Sequence, residues 1–304
     1  MPLIENAILI AGPTASGKSA LALDLARREG GVIVNADSMQ VYSVLRVLTA
    51  RPGAEELAVA LHLLYGHVDP RDAYSTGDWL RDVTYLAEEG AFEGRRAIFV
   101  GGTGLYFRAL LGGLSAMPAI PADIRAYWRA RLSEEGAEAL HRVLRERDAD
   151  AATAIGPSDG QRVLRALEVL EASGRSILSW QAEPAKPLVD PRSARKIVIE
   201  PERGLLRKRI DQRFDGMVAG GALEEVETLM RLAPDPARPA MKAIGVRELE
   251  AFLAGRTTLE QAIEQAKAAS RQYAKRQTTW FRHQLEKDWE RRESADRAEM
   301  PPIA

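Results

Sequence analysis

Eight residues constrain this chain more than the rest. Gly12-Pro13-Thr14-Ala15-Ser16-Gly17-Lys18-Ser19 matches G-x-x-x-x-G-K-[ST] at every fixed position. The apolar run Ala7–Ala11 before it reads as a short buried strand. Ser19–Glu29 after it has helical spacing, with Leu21, Ala22 and Leu25 on one face. A strand that turns through glycine into a helix points main-chain N–H groups at an anion, and the helix N-terminus favours negative charge. Lys18 adds a point charge, and the Ser19 hydroxyl is a candidate ligand for Mg²⁺. The segment predicts a phosphate chain with magnesium. It leaves open which molecule carries the phosphates and what attacks it.

Further short apolar strands are expected at Val32–Val34 and Ala97–Val100, the second ending in Gly101-Gly102. Strands alternating with helices predict an α/β fold: a P-loop NTPase-like parallel sheet flanked by helices. Beyond Leu114 the pattern changes. Met117-Pro118 and Ile120-Pro121 punctuate the chain, Asp123–Glu146 reads as one long charged helix, and Ala149–Ala154 and Gln161–Ser173 as two more. Pro184, Pro187 and Pro191 mark a loop, and Lys196–Ile199 reads as a returning strand. The expected organisation is a core of residues 1–115 and 191–286, an inserted helical domain at 116–190, and a charged, frayed tail at 287–304.

Two segments after strands are candidate site elements. Asn35-Ala36-Asp37-Ser38-Met39-Gln40 follows the second strand. In a parallel sheet this position opens onto the ligand crevice. Asp37 there is a general base, or else Asp37 or Ser38 merely caps the next helix. Gly101-Gly102-Thr103-Gly104 stands where many P-loop ATPases carry a magnesium-ordering acid. The glycines argue against an ordinary ATPase and for something bulky close to the backbone. Thr103 would donate to phosphate or line a channel, or the segment is simply a tight turn.

The chain has no cysteine, which excludes disulfides and thiolate zinc sites, and its four histidines lack metal-ligand spacing. No apolar run approaches the roughly 20 residues of a membrane span, and no signal peptide is evident, so a cytoplasmic, membrane-free protein is expected. Net charge is −1, so a nucleic-acid partner must be met by a local basic patch. One candidate is Gln161-Arg162-Val163-Leu164-Arg165. A stronger one runs from Ala266 to Gln284, where Lys267, Arg271, Lys275, Arg276 and Arg282 stand without an acid and Tyr273, Trp280 and Phe281 are interleaved. Such a stripe can neutralise phosphates and stack on unpaired bases. Alternatively, the aromatics fill the core and the cations are solvated. Arg213 is a candidate for the outer end of the diphosphate, or else an ion-pair partner of Asp211 or Asp215.

Taken in order, these motifs resemble the bacterial tRNA dimethylallyltransferase (tRNA isopentenyltransferase) family over about Ala7–Arg282. Gly12–Ser19, Asp37–Tyr42, Gly101–Tyr106, Gln161–Ala166, Ala243–Glu248 and Arg271–Arg282 carry the likeness. The resemblance implies transfer of a dimethylallyl group from dimethylallyl diphosphate to N6 of adenine 37, next to the anticodon of tRNA. It implies Asp37 as base and Thr14–Ser19 as the diphosphate cradle, aided by Arg213 and by Mg²⁺ on Ser19. Thr103 would line the channel. Asp37, Ser38, Met39, Gln40, Thr103, Arg125, Gln161–Arg165, Ala243–Glu248, Lys275, Arg276 and Arg282 would touch the tRNA anticodon stem-loop, with the helical insert clamping it. A monomer is expected. The chain departs from the family at Arg46-Val47-Leu48-Thr49-Ala50-Arg51-Pro52, where an Asp-Ile-Gly-Thr-Ala-Lys-Pro pattern is usual. It also departs at Tyr65–Pro70 and at Val246, where Tyr is common. Two other classes share part of the pattern: a P-loop small-molecule kinase, and a non-catalytic RNA-binding protein switched by nucleotide.

Overall fold

A computed structural model describes residues 4–183 and 185–294. The chain divides into two compact units, Met1–Leu111 with Pro187–Ala304, and Gly112–Lys186.

The first unit is built on strands β1 (Ile8–Ala11), β2 (Val32–Asn35), β3 (His62–Leu63), β4 (Ala97–Gly101), β5 (Arg195–Ile199) and β6 (Glu290–Arg292). They form one sheet in the order β3-β2-β4-β1-β5-β6, and every pairing is parallel. The central strands are apolar because both faces are covered. Alternate residues serve opposite faces. Leu9, Val34, Phe99 and Val198 enter one cluster with Trp79, Phe107 and Phe281. Ile8, Ile10, Ile33, Ile98 and Ile197 enter another with Leu21 and Leu25.

The helices of this unit are α1 (Lys18–Glu29), α2 (Ala54–Val59), α3 (Thr76–Glu88) and α4 (Gly104–Gly112), and later α10 (Arg203–Ala219), α11 (Ala222–Arg231), α12 (Val246–Leu253) and α13 (Leu259–Gln284). The later helices share an apolar cluster with the segment after β2: Val41, Leu45 and Leu48 pack with Phe214, Val226, Val246 and Ala266. Val246, the position where Tyr is common, is fully buried there.

The second unit is helical: α5 (Ala122–Glu135), α6 (Ala137–Arg147), α7 (Ala149–Ala154), α8 (Gly160–Ser173) and α9 (Ile177–Gln181). The long helix expected over Asp123–Glu146 breaks at Gly136, whose φ of 80° no helix interior allows. Trp128, Leu140, Leu144, Val163 and Leu167 form its core.

The charged tail expected from Lys287 is ordered as far as the described residues reach. Trp289 is buried edge-on against Phe107, and Ile197, Val198 and Ile199 of β5 register with Glu290, Arg291 and Arg292 of β6. Its charges pair with groups on and beside β5: Lys196 with Asp288, Arg195 with Glu290, and Arg291 with Glu200. Charge here belongs to an edge strand, where it also discourages further pairing. Residues 295–304 of that expected tail lie outside the described residues. The chain also returns from the insert earlier than expected. Leu188 and Val189 are already buried in the sheet unit, and Val189 bridges to Ile4.

Candidate active site

β1 and β4 are adjacent, with Ala11 level with Gly101, and β2 is the next strand out. The segments after all three therefore meet at one end of the sheet. The phosphate loop bends sharply: Ala15 and Gly17 have φ of 61° and 94°. Lys18 and Ser19 open α1. The Lys18 ammonium donates to the Pro13 carbonyl at 3.2 Å, and Ser19 is exposed, its hydroxyl without a hydrogen-bond partner among the described residues.

Asp37 is held by its neighbours. Its N–H donates to Asn35 Oδ1 at 2.8 Å, and its own Oδ1 accepts from Met39 N–H at 2.9 Å. Asn35 is buried and donates to the carbonyls of Asp37 and Leu64. Thr103 joins this segment to the turn after β4. Its N–H donates to the Ala36 carbonyl at 3.2 Å, and its Oγ1 accepts from Ser38 N–H at 2.9 Å. Thr103 thus has a positioning contact, and it is not among the residues that line the cavity beside Asp37.

Thr14, Asp37, Ser38, Arg213, Tyr273 and Arg276 line a cavity of about 270 Å³ together with the apolar Leu48, Ile210, Phe214, Met217 and Ile244. The electrostatics agree with this grouping. Burial pushes the Lys18 ammonium down to about 8, Asp37 opposes that shift, and Arg213 adds to it. Burial also lowers Arg213, again against Asp37. The phenols of Tyr65, Tyr106 and Tyr273 are all pushed up by burial, with the Asp37 charge adding to each. One carboxylate, one ammonium and one guanidinium thus feel each other beside a cleft lined by both polar and apolar side chains. That arrangement suits an amphiphilic anion.

Arg213 does not pair with the acids beside it. Asp211 takes Arg271 and Asp215 takes Lys267. The same pairs correct the reading of the basic stripe, because Lys267 and Arg271 are committed to α10 and only Lys275, Arg276 and Arg282 remain exposed. Of the aromatics, Phe281 is core, Tyr273 lines the cavity, and Trp280 is partly buried, packing against Gly104 and lining a surface groove with Lys275 and Arg276.

The turn after β4 also answers what passes close to its glycines: α13 does. A side-chain carbon on Gly102 would stand 2.1 Å from Gln277 Nε2, and one on Gly104 would stand 2.1 Å from the Trp280 ring. Gly104→Ala gains helix propensity of about 1 kcal/mol at the start of α4. The clash reverses the sign, and we expect a net loss of about 1–3 kcal/mol by denaturant titration.

In the helical unit, Arg125 and Gln161 are exposed, Arg162 pairs with Asp159, and Arg165 pairs with Glu168. Val163 is fully buried in that unit's core and Leu164 packs against it, so the contact with RNA expected of the Val163 side chain is excluded. A one-in-four helical register inevitably turns one member of Gln161–Arg165 inward.

The departing segment Arg46–Pro52 has its own anchor. The Glu225 carboxylate on α11 accepts from the N–H groups of Arg46, Val47 and Leu48 at 2.6, 2.7 and 2.9 Å. The Gln40 amide donates to the carbonyls of Thr49 and Ala50. Leu48 and Thr49 are thereby fixed in the cavity wall. Glu225→Ala strands three amides, and a cost of about 2–3 kcal/mol is expected from a thermal melt. The KM for the donor is expected to rise about tenfold, since 1.4 kcal/mol of lost wall contact is a factor of ten.

Glu225, Gln277 and the apolar lining were not apparent in the sequence. Gln277 lay inside the matched Arg271–Arg282 segment, masked by flanking cations. Glu225 lies in an acidic, helix-forming stretch with nothing local to single it out.

Two family models match the chain: one described as IPP transferase over residues 40–284, and one described as isopentenyl transferase over residues 5–65. The tRNA dimethylallyltransferase of Chelativorans sp. (strain BNC1) is 63% identical over 288 residues, covering 95% of this chain and 99% of its own. That of Mesorhizobium japonicum is 62% identical over 293 residues, covering 96% and 91%. Among solved structures, the Bacillus halodurans tRNA isopentenylpyrophosphate transferase superposes with a TM-score of 0.67 at 35% identity, covering 94% of this chain and 89% of its own. A eukaryotic dimethylallyltransferase acting on tRNA superposes with a TM-score of 0.78 at 28% identity, covering 93% and 71%. With a phosphate loop, a facing carboxylate and a half-apolar cavity in one cleft, and with family matches spanning most of its length, the chain belongs to the IPP transferase family, that of the tRNA dimethylallyltransferases.

Proposed function

We propose that this chain transfers the dimethylallyl group of dimethylallyl diphosphate to N6 of adenine 37 of tRNA. The observation that carries the proposal is that Asp37, Arg213 and the phosphate-loop residue Thr14 line one cavity with Leu48, Ile210, Phe214, Met217 and Ile244. Family membership sets aside the small-molecule kinase and the nucleotide switch.

The diphosphate lies along Gly12, Pro13, Thr14, Ala15, Ser16, Gly17, Lys18 and Ser19, with Lys18 and Arg213 facing its charge. The five-carbon tail lies against Leu48, Ile210, Phe214, Met217 and Ile244. The bond between C1 and the bridging oxygen breaks, the bond between N6 and C1 forms, and diphosphate leaves. Its growing charge is met by cations already in place, so little reorganisation is needed. Asp37 accepts the proton that N6 loses. Its Oδ1 is occupied by the Met39 N–H, which leaves Oδ2 for the amine.

The Ser19 hydroxyl is exposed at the end of the loop and without a partner among the described residues, which fits an oxygen ligand to Mg²⁺ beside the diphosphate. When bound, Mg²⁺ would neutralise part of the diphosphate charge. Among the described residues no cluster of three acids, histidines or cysteines could hold a metal ion.

For the tRNA we propose contacts from Ser38, Met39, Gln40 and Thr103 near the adenine and from Lys275, Arg276 and Arg282 on α13. In the helical unit, Arg125, Gln161, Arg162, Leu164 and Arg165 are proposed as contacts with the anticodon stem-loop. The adenine must leave its stack, at a cost of a few kcal/mol. One chain holds both substrates' sites, and we propose that it acts as a monomer in the cytoplasm. Among the described residues no helix is long and apolar enough to cross a membrane.

The test is incubation with unmodified tRNA, Mg²⁺ and labelled dimethylallyl diphosphate, followed by mass spectrometry of the digested RNA. Label on the adenine 3′ of the anticodon is expected. Consumption of ATP with unmodified tRNA recovered would refute the reading.

A further inference from the structure

Gln277 is 5% exposed, and its amide joins two loops. Thr14 N–H donates to Gln277 Oε1 at 2.9 Å, and Gln277 Nε2 donates to the Gly102 carbonyl at 2.9 Å. The orientation is forced, since a main-chain N–H only donates and a carbonyl only accepts. Thr14 and Gly102 follow neighbouring strands, β1 and β4. The connection continues beyond them. Thr103 donates to the Ala36 carbonyl and accepts from Ser38 N–H, on either side of Asp37. Phosphate loop, Gln277, Gly102-Thr103 and Asp37 therefore form one continuous set of hydrogen bonds. No apolar side chain can replace the amide, and a carboxylate can replace only its accepting half.

We propose that Gln277 is a positioning residue for the reaction: it fixes the spacing between the phosphate loop and the Asp37 segment, so that leaving diphosphate and attacking amine stay opposed. This rests on the proposed prenyl transfer. Gln277 acts through the two loops.

The proposal makes an unusual demand of Gln277→Glu. A protonated carboxyl offers one acceptor and one O–H donor, as the amide does. An ionised one sets a second negative oxygen against the Gly102 carbonyl. The site is desolvated, which favours the neutral acid. The charged and titratable groups of this neighbourhood are Asp37 after β2, Lys18 on α1, Arg213 on α10, and Tyr273 and Arg276 on α13. All are present in parent and variant, so the ratio of the kcat values at each pH removes their common titration, and Gln277→Leu, which adds no charge to shift them, tests the positioning role separately.

We expect that ratio to approach one near pH 6 and to fall at least thirtyfold by pH 9. Gln277→Leu should lose at least thirtyfold in kcat at every pH and bind inorganic pyrophosphate about tenfold more weakly by calorimetry, with a thermal midpoint above the assay temperature. A pH-independent ratio for the glutamate variant would overturn the proposal. So would a folded leucine variant within threefold of the parent in both kcat and pyrophosphate affinity. If the leucine variant does not fold, the glutamate ratio decides. If the parent transfers no dimethylallyl group, the reaction is refuted, and the pyrophosphate titration still judges the role of Gln277.

Discussion

Asp37→Asn should reduce kcat for dimethylallyl transfer by about 10²–10⁴, the range usual for a lost general base, while leaving the fold and donor binding intact. The substitution is chosen because it separates the two roles that spacing alone left open. Asn35 and Met39 grip the Asp37 segment through its N–H and its Oδ1. Asparagine supplies the same N–H and the same carbonyl oxygen, and as a cap it serves about as well as aspartate. If Asp37 only closes that turn, the variant is fully active. If its second oxygen takes the N6 proton, the NH₂ that replaces it cannot, and the barrier rises by about 3–5 kcal/mol. Donor binding should not suffer. Asp37 is the anion that Lys18 and Arg213 both feel, so its removal leaves the cleft more positive towards diphosphate. The measurement is single-turnover transfer with saturating donor, alongside calorimetric titration of inorganic pyrophosphate. Retention of kcat within threefold would show that Asp37 is a cap.

The sheet was legible in the sequence because buried parallel strands are continuous apolar runs, and Ile8–Ala11, Val32–Val34 and Ala97–Val100 have little else to be. The phosphate loop was legible because its residues are consecutive. Missed elements share a different property: their meaning depends on partners distant in sequence. β6 carries Glu290, Arg291 and Arg292, which read as a frayed tail until Arg195 on β5 and Glu200 just beyond it pair with them. Gly136 looked tolerable inside a helix until its backbone turned. Lys267 and Arg271 looked free because the acids that neutralise them, Asp215 and Asp211, lie more than fifty residues earlier. The cavity wall is the extreme case. Leu48, Ile244 and the α10 pair Ile210 and Phe214 come from three separate segments, and none alone announces a cavity.

Lys18→Met should nearly abolish the use of dimethylallyl diphosphate and yet leave the free protein at least as stable as the parent. The ammonium is desolvated in the empty cradle, which lowers its pKa from 10.5 to about 8. The sign follows from linkage. Between pH 8 and 10.5 the unfolded chain holds this proton and the folded chain does not. The group therefore costs stability in full below pH 8, and that cost fades as pH rises through the window to 10.5. Its size is on the order of a few kcal/mol, at about 1.4 kcal/mol per unit. Methionine fills similar space without the charge, so a thermal melt at pH 7 should show an unchanged or raised midpoint, and the gain should shrink towards pH 10. The same shift predicts how the parent binds its donor. Below pH 8 Lys18 is charged and the KM for dimethylallyl diphosphate is independent of this group. Above pH 8 the free enzyme must first take up a proton, and KM should climb towards tenfold per pH unit. In Lys18→Met the KM starts at least a hundredfold higher, for about 3 kcal/mol of lost charge contact, and that alkaline rise disappears. A variant that keeps the parent's KM at pH 7, or that retains the parent's alkaline limb, would remove Lys18 from the cradle and with it the reason to seat a diphosphate there.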